Sequence, residues 1–176
     1  MKVLMHICCG PCASYPLPFL MEEGHQVKGF FFNPNIHPFK EYERRREGAN
    51  QLVGHHGVEL AADEDYDPNP YLRAVVNHED ERCGLCYKIR LDKTAQLATR
   101  EGFEGFTSSL LVSPYQKHDQ IKAVGEDCAD KYGIPFLYYD WRDKYHETIK
   151  RSKELELYRQ PYCGCIYSEW DRYKKK

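Results

Sequence analysis

The chain has 176 residues, a length that fits one domain or one domain with a small extension. Hydrophobic residues make up 41% and charged residues 30% of it, which is typical of a globular protein and excludes a disordered chain. The 25 basic and 27 acidic residues give a net charge of −2, which excludes a globally basic nucleic-acid-binding protein and leaves only a local basic patch open.

The predicted secondary structure alternates strands and helices along the chain. Short apolar segments predict strands at residues 3–7, 27–32, 58–62, 106–112 and 134–139. Apolar residues spaced by three and four positions predict helices at about residues 14–23, 39–56, 71–76, 86–100, 117–131 and 143–157. This alternation predicts a three-layer α/β fold, in which a mostly parallel sheet has helices on both faces.

We expect two parts in this chain. Residues 1–157 form the α/β domain, and residues 158–176 form a C-terminal segment that packs on the same domain. The first residues lack the pattern of a signal peptide, and no segment approaches the ~20 apolar residues of a membrane span. We therefore expect a cytoplasmic protein with no membrane partner, where thiols stay reduced and eight cysteines need a metal or redox explanation.

Seven of the eight cysteines fall into three groups with the spacing of metal ligands. The groups are Cys8-Cys9 with Cys12, Cys83-x-x-Cys86, and Cys163-Gly164-Cys165. Adjacent cysteines chelate a single tetrahedral ion poorly because their side chains diverge, whereas a four-iron cluster presents separate corners to separate thiolates. We therefore predict a [4Fe-4S] cluster whose ligands are Cys8, Cys9, Cys83 and Cys86. Structural zinc is the alternative.

The remaining cysteines have different predicted roles. Gly164 permits a tight bend, so Cys163 and Cys165 form either a redox-active disulfide pair or two ligands of a second, mononuclear iron. Cys12 is either a further ligand of that iron or a buried small residue. Cys128 lies on the apolar face of a predicted helix, and we expect it to pack in the core.

Several polar residues outside the cysteine groups are candidates for supporting roles. His6 precedes the first cysteines and is either a core histidine or a residue that tunes the metal. Residues 44–46, three consecutive arginines, are expected to form a solvated helix face. Tyr115, His118 and Asp119 are candidate proton donors by their position in a loop after a strand. The C-terminus mixes aromatic and basic residues, which suits unpaired RNA bases and phosphates.

Six sequence strings together resemble the QueH family of epoxyqueuosine reductases. They follow one another over nearly the whole chain, and several are unusual. The strings are CCGPC at 8–12, FNPNIHP at 32–38, EY at 41–42, RCGLC at 82–86, SLLVSP at 109–114 and YRQPYCGC at 158–165.

The resemblance implies a function and a set of site residues. The family reduces the epoxide of epoxyqueuosine to queuosine at the wobble position of tRNA, the last step of queuosine synthesis. It uses a four-iron cluster, with a second iron nearby, in a Rossmann-like fold of nucleotide-hydrolase topology that lacks a phosphate loop. By resemblance, Cys8, Cys9, Cys83 and Cys86 hold the cluster, and Cys163 and Cys165 form the redox pair or bind the second iron.

The implied partners are tRNA and an unidentified electron donor. Two other classes remain as alternatives at this stage. A zinc-binding RNA module would bind RNA without redox activity, and a metal-free dithiol redox protein would use the Cys163–Cys165 pair alone.

Overall fold

The computed structural model describes residues 1–62 and 65–174, and its centre is a four-stranded parallel sheet. The strand order is β3-β2-β1-β4. The strands are β1 (Lys2–His6), β2 (Gln26–Phe31), β3 (Leu60–Ala62) and β4 (Gly105–Ser108). In the register of the sheet, Met5 of β1 pairs with Gly29 on one side and with Thr107 on the other. β1 is buried from Val3 to His6, as expected of a central strand that is covered on both faces.

Eight helices surround this sheet in the described residues. They are α1 (Gly10–Ala13), α2 (Pro16–Glu22), α3 (Phe39–His55), α4 (Asn69–Val75), α5 (Arg82–Arg100), α6 (His118–Tyr132), α7 (Tyr145–Glu154) and α8 (Ile166–Lys174). Helices α2 and α3 pack on β2, whereas α5 packs on β1 and β4 and also against α6. Because crossovers between parallel strands are right-handed, the reversal of strand order between β3 and β4 puts α5 on the opposite face from α2 and α3. The predicted three-layer α/β fold is therefore confirmed.

The two predicted strands in the C-terminal half are wrong in extent. The strand predicted at 106–112 ends at Ser108, whose side chain accepts a hydrogen bond from the N–H of Leu110 at 3.2 Å and starts a 3₁₀ turn at Ser109–Val112. The strand predicted at 134–139 makes a single bridge, between Phe136 and Phe106. Pro135 has no N–H to donate, so it cannot extend this ladder.

Two helices also differ from the sequence prediction. Helix α5 begins at Arg82 instead of residue 86, so Cys83 and Cys86 both lie in its first turn. Helix α8 was not predicted, and it follows Cys165 directly. Part of the aromatic and basic C-terminus, residues 175–176, lies outside the described residues. Within the described ranges, none of the helices combines the length and apolar character that a membrane crossing requires.

Candidate functional site

The first cysteine group lies at the carboxyl end of β1, where the strand order of the sheet reverses. In parallel α/β sheets, this reversal point is where ligands bind. Cys9 caps α1, because its sulfur accepts the N–H of Cys12 at 3.5 Å. Gly10 lets α1 approach α3 closely: a Cβ there would lie 2.4 Å from the carbonyl oxygen of Gly48. The cap at Cys9 and the missing side chain at Gly10 therefore fix the position of the thiols of residues 8, 9 and 12.

Cys8, Cys9 and Cys12 form a compact triad of sulfur atoms. The three sulfurs lie within 4.8 Å of one another, and those of Cys8 and Cys9 are 3.8 Å apart. The Ser109 hydroxyl donates to the Cys8 sulfur at 3.3 Å, and the Gln160 amide donates to the Cys9 sulfur at 3.1 Å. This donor set suits a thiophilic metal centre.

Negative charge in the triad concentrates on Cys8. Hydrogen bonds from Cys12 and Cys9 hold the pKa of the Cys8 thiol well below its usual range. The pKa of Cys9 is raised by burial, and that of Cys12 is raised by its hydrogen bond to Cys8. Thiolates, not thiols, bind metals and act as nucleophiles, and Cys8 is the most readily ionised thiol of the three.

The other four site cysteines form a second, looser group that is linked by packing and by electrostatic interaction. Cys86 and Cys165 pack in one small buried cluster with Tyr71 and Val75. Burial is the largest cause that raises the pKa of Cys86 to about 12, and the charges of Cys163, Cys165 and Cys83 contribute in the same direction while Arg90 opposes them. Burial is likewise the largest cause of the raised pKa of Cys83. All eight cysteines of the chain are free thiols in the structure, so Cys163 and Cys165 are in the dithiol form.

Arg90 lies between the two thiol groups. It is 3% exposed, and its Nε donates to the carbonyl oxygen of Cys86 at 3.3 Å. Burial tends to lower the pKa of this guanidinium, but the charges of Cys86 and Cys8 raise it. A positive charge that interacts with both groups stabilises thiolates, or a negatively charged metal cluster, in the space between them.

Arg45 and His37 hold the Cys163-Gly164-Cys165 segment in place. Arg45 is 2% exposed and donates to the carbonyl oxygens of Cys163 at 2.6 Å and Tyr162 at 2.9 Å. The backbone N–H of His37 donates to the carbonyl oxygen of Gly164 at 2.8 Å. At Gly164, φ is +156° and an added Cβ would lie 3.2 Å from Arg45 Nη1, so the bend predicted at this glycine is present.

One cavity of about 620 Å³ connects these features. Cys8, Cys12 and Cys163 line it, together with Arg45 and Arg90. Tyr115 lies at the edge of this cavity and is 81% exposed. The arrangement places thiols and buried positive charge inside a pocket that is large enough for a nucleobase-sized ligand.

The structure distributes the sequence-predicted ligands over both groups. In the described part of the chain, Cys8, Cys9 and Cys12 form the compact triad, while Cys83 and Cys86 lie in the second group with the Cys163–Cys165 pair. The assignment of Cys8, Cys9, Cys83 and Cys86 to one cluster stays a prediction. Cys128 packs in the main core, as predicted.

The prediction of a fully solvated arginine run is wrong at Arg45. Arg44 is exposed and Arg46 is partly buried, but Arg45 is enclosed by Glu41 and by the C-terminal segment that returns over α3. His6 is buried between Ser108 and Asn33, to which its ring nitrogens are hydrogen-bonded.

Burial lowers the pKa of His6 to about 4, so its ring is neutral at pH 7. It packs in the core, which is one of the two roles that the sequence left open, and its tuning of a metal stays a prediction.

Sequence reasoning missed Arg90 and Gln160. Arg90 follows Cys86 by four residues and Cys83 by seven, which is the spacing of one helix face and could have identified it. Gln160 belongs to a C-terminal string whose path over the triad depends on tertiary structure.

Grouped thiols and buried guanidinium groups at the switch point of a parallel α/β sheet define a thiol- or metal-based redox protein. The family model described as "Epoxyqueuosine reductase QueH" matches residues 3–171. The chain therefore belongs to the QueH family of epoxyqueuosine reductases and is an oxidoreductase.

Three relatives named epoxyqueuosine reductase QueH illustrate this similarity. The protein from Dehalococcoides mccartyi is 40% identical over 99% of this chain and 96% of its own length. Those from Streptococcus pyogenes serotype M1 and Thermotoga maritima are 37% and 35% identical, over 95% and 98% of this chain and 70% and 93% of their own lengths.

A solved structure shows the same fold at low sequence identity. A predicted subunit of tRNA methyltransferase from Methanocaldococcus jannaschii superposes with a TM-score of 0.57 at 13% identity. The similarity covers 88% of this chain and 75% of the other, and it supports the α/β fold class.

Proposed function

We propose that this protein reduces epoxyqueuosine to queuosine at the wobble position of tRNA, the final step of queuosine biosynthesis. The observation that carries the proposal is the family match over residues 3–171, together with the thiols of Cys8, Cys12 and Cys163, which line a single cavity. The reaction takes up two electrons and two protons, converts the epoxide to an alkene, and releases the oxygen as water. The proposal places the enzyme in the cytoplasm with tRNA and an electron donor that is not yet identified.

We propose further that Cys8, Cys9, Cys83 and Cys86 hold a [4Fe-4S] cluster. Separate thiolates from two groups suit a cluster with several corners better than they suit a single ion. The Gln160 amide N–H that reaches the Cys9 sulfur at 3.1 Å is a donor of the kind that stabilises the thiolate ligands of such a cluster. When bound, the cluster supplies the electrons for the reduction.

The second iron is proposed at Cys12, Cys163 and Cys165, with the Cys163–Cys165 dithiol as the alternative redox pair. Cys12 and Cys163 line the same cavity, and Cys163 is exposed to it. Gln116 donates its amide to the Cys163 sulfur at 3.4 Å, and the N–H of Ser168 donates to the Cys165 sulfur at 3.4 Å. These donors orient the two sulfurs whether they bind iron or exchange electrons as thiols.

The remaining residues of the cavity balance charge and receive the base. Arg90 and Arg45 keep positive charge beside Cys8, so they stabilise the negatively charged state of the thiol groups. The target base must leave the anticodon stack to reach the thiols, because an enzyme cannot act on a stacked base. A cavity of about 620 Å³ has room for it.

The test is conversion of tRNA that carries epoxyqueuosine by anaerobically reconstituted protein and a chemical reductant. Nucleoside mass spectrometry should show loss of one oxygen atom from the modified base. We expect Cys86→Ser to abolish conversion, while Cys128→Ala, a cysteine outside the site, keeps it.

The rival classes give different results in the same assay. A zinc-binding RNA module would bind the tRNA and leave the epoxide intact. A metal-free dithiol protein would convert the substrate after complete removal of metal, and it would lose conversion when Cys163 is replaced.

A further inference from the structure

A rigid loop carries Tyr115 to the edge of the thiol-lined cavity. The Ser113 hydroxyl accepts the N–H of Tyr115 at 3.3 Å, and the Ser113 carbonyl accepts the N–H of Gln116 at 3.2 Å. On the other side, the N–H of Lys117 donates to the hydroxyl of the buried Tyr87 at 3.1 Å. The backbone on both sides of Tyr115 is therefore held by hydrogen bonds.

The ring of Tyr115 is exposed although its backbone is fixed. The residue is 81% exposed, the largest value among the exposed large hydrophobic side chains of the described residues. Its ring meets that of Tyr145 in an edge-to-face arrangement, with centroids 5.7 Å apart and planes at 85°. Both tyrosines line the cavity that contains Cys8 and Cys163. A ring held this way contributes little to folding, because most of its surface remains in water.

We propose that Tyr115 is a stacking platform for an unpaired nucleobase that neighbours the modified base in the tRNA anticodon loop. When the modified base leaves the stack to enter the cavity, its neighbour loses a stacking partner. An exposed aromatic ring at the cavity edge replaces that partner, and stacking on such a ring strengthens the binding of an unpaired base. The ring of Tyr145 contacts this platform edge-to-face. The inference rests on the proposed tRNA substrate.

Positively charged side chains at the same cavity favour an RNA ligand. Arg172 lines the cavity, and the neighbouring Asp171 is paired with Arg82 at 2.7 Å, which offsets its negative charge. Lys117 is exposed two residues after Tyr115. These positive side chains are placed to meet the phosphates that flank the stacked base.

The experiment compares Tyr115→Ala and Tyr115→Phe in steady-state kinetics on epoxyqueuosine-containing anticodon stem-loop RNA. We expect Tyr115→Ala to raise KM about tenfold with kcat changed less than about twofold, and Tyr115→Phe to stay within about twofold of wild type, because the phenyl ring keeps the stacking face. The matched control is Phe39→Ala, which removes an aromatic side chain that is 49% exposed and does not line this cavity.

A binding readout separates this inference from the proposed activity. Tyr115→Trp introduces a fluorophore whose emission the stacked base quenches, with the wild-type signal from Trp141 and Trp170 subtracted. We expect the stem-loop RNA to quench this emission. We also expect Tyr115→Ala to bind the RNA about tenfold more weakly in fluorescence anisotropy. Both results support the platform even if the wild-type protein does not reduce epoxyqueuosine.

Two results would overturn the platform. In one, Tyr115→Ala leaves both KM and RNA affinity unchanged. In the other, the same variant raises KM for a protein electron donor alone, which would assign this ring to a protein partner.

Discussion

At the scale of single residues, the site depends on two buried arginines with different partners. Arg45 forms an ion pair with Glu41 at 2.8 Å, and the other Glu41 oxygen accepts the hydroxyl of Tyr158 at 2.6 Å. The same guanidinium holds the carbonyl oxygens of residues 162 and 163. Arg90 instead interacts with the thiol groups on both sides of it.

Replacing Arg45 should destabilise the fold because the Glu41 carboxylate then stays buried without its ion-pair partner. In Arg45→Met, Glu41 stays buried without its partner, which costs about 3 kcal/mol of unfolding free energy. Chemical denaturation of the metal-free protein measures this loss. The double variant Glu41→Gln/Arg45→Met should lose less than the sum of the single variants. A loss no larger than that of Arg44→Met, at the exposed neighbour, would contradict the role of Arg45.

Replacing Arg90 should change the electronic properties of a bound metal centre. Arg90→Met removes the positive charge near Cys8 and Cys86, and the reduced, more negative state of the centre loses the most stabilisation. We expect a lower reduction potential by spectroelectrochemistry and weaker iron retention on gel filtration. Arg90→Lys keeps a charge and should fall between methionine and wild type. Equal potentials in all three proteins would show that Arg90 does not act on the centre.

The sequence could predict that the cysteines form groups but could not fully predict their surroundings. The spacings singled out seven cysteines, of which Cys8, Cys9 and Cys12 form a compact triad, and their roles as ligands stay a prediction. In the arginine run at 44–46, however, only the return of the C-terminal segment over α3 decides which side chain is buried. That contact joins residues more than a hundred positions apart, so no local pattern encodes it.

At the scale of elements, the close approach of α1 and α3 fixes the thiol triad. Gly10 opens α1 and lies against the backbone of Gly48 in α3, where the missing side chain leaves just enough space. Any side chain at position 10 must push the two helices apart, and the three thiols of residues 8–12 would move with α1.

Adding one methyl group tests this contact. Gly10→Ala should lower the unfolding free energy by about 2 kcal/mol and reduce metal content, because its Cβ would meet backbone atoms that cannot rotate away. The matched control is Gly54→Ala in α3, where the new Cβ meets nothing within 4 Å and helix propensity should add about 0.5–1 kcal/mol. Equal stability of both variants, measured by urea denaturation, would refute the proposed role of Gly10.

The prediction of helices and strands was correct where the apolar periodicity is strong. It was wrong where tertiary contacts determine the bounds of an element. The apolar strand at 3–7 and the helix at 39–56 lie within one or two residues of their observed bounds. The strand predicted at 106–112 ended early because the side chain of Ser108 competes for a backbone N–H. Helix α8 was not predicted, and none of its residues is buried.

At the scale of the whole molecule, the site joins three distant segments of the chain. Residues 8–12, 83–86 and 163–165 come from the first strand end, the start of α5 and the segment before α8. A metal centre bound to all three cross-links the N-terminal and C-terminal ends of the protein. Metal binding should therefore stabilise the native state and fix the C-terminal segment most of all.

Metal removal tests this linkage. The metal-free protein should melt about 5–10 °C lower than the reconstituted protein, since a bound ligand stabilises only the native state. Limited proteolysis should then cleave first within residues 158–165. Cys128→Ala should show the same metal-dependent shift as wild type. If the melting temperature does not depend on metal, no cofactor joins these segments.

The central proposal is that Cys8, Cys9, Cys83 and Cys86 hold an iron–sulfur redox centre. The most direct measurement is an absorbance spectrum with iron and sulfide analysis on anaerobically purified protein. The account predicts a broad band near about 400 nm and close to four irons and four sulfides per chain, with additional iron if the second site is filled. A colourless protein that contains stoichiometric zinc would contradict it and favour a zinc-binding RNA module instead.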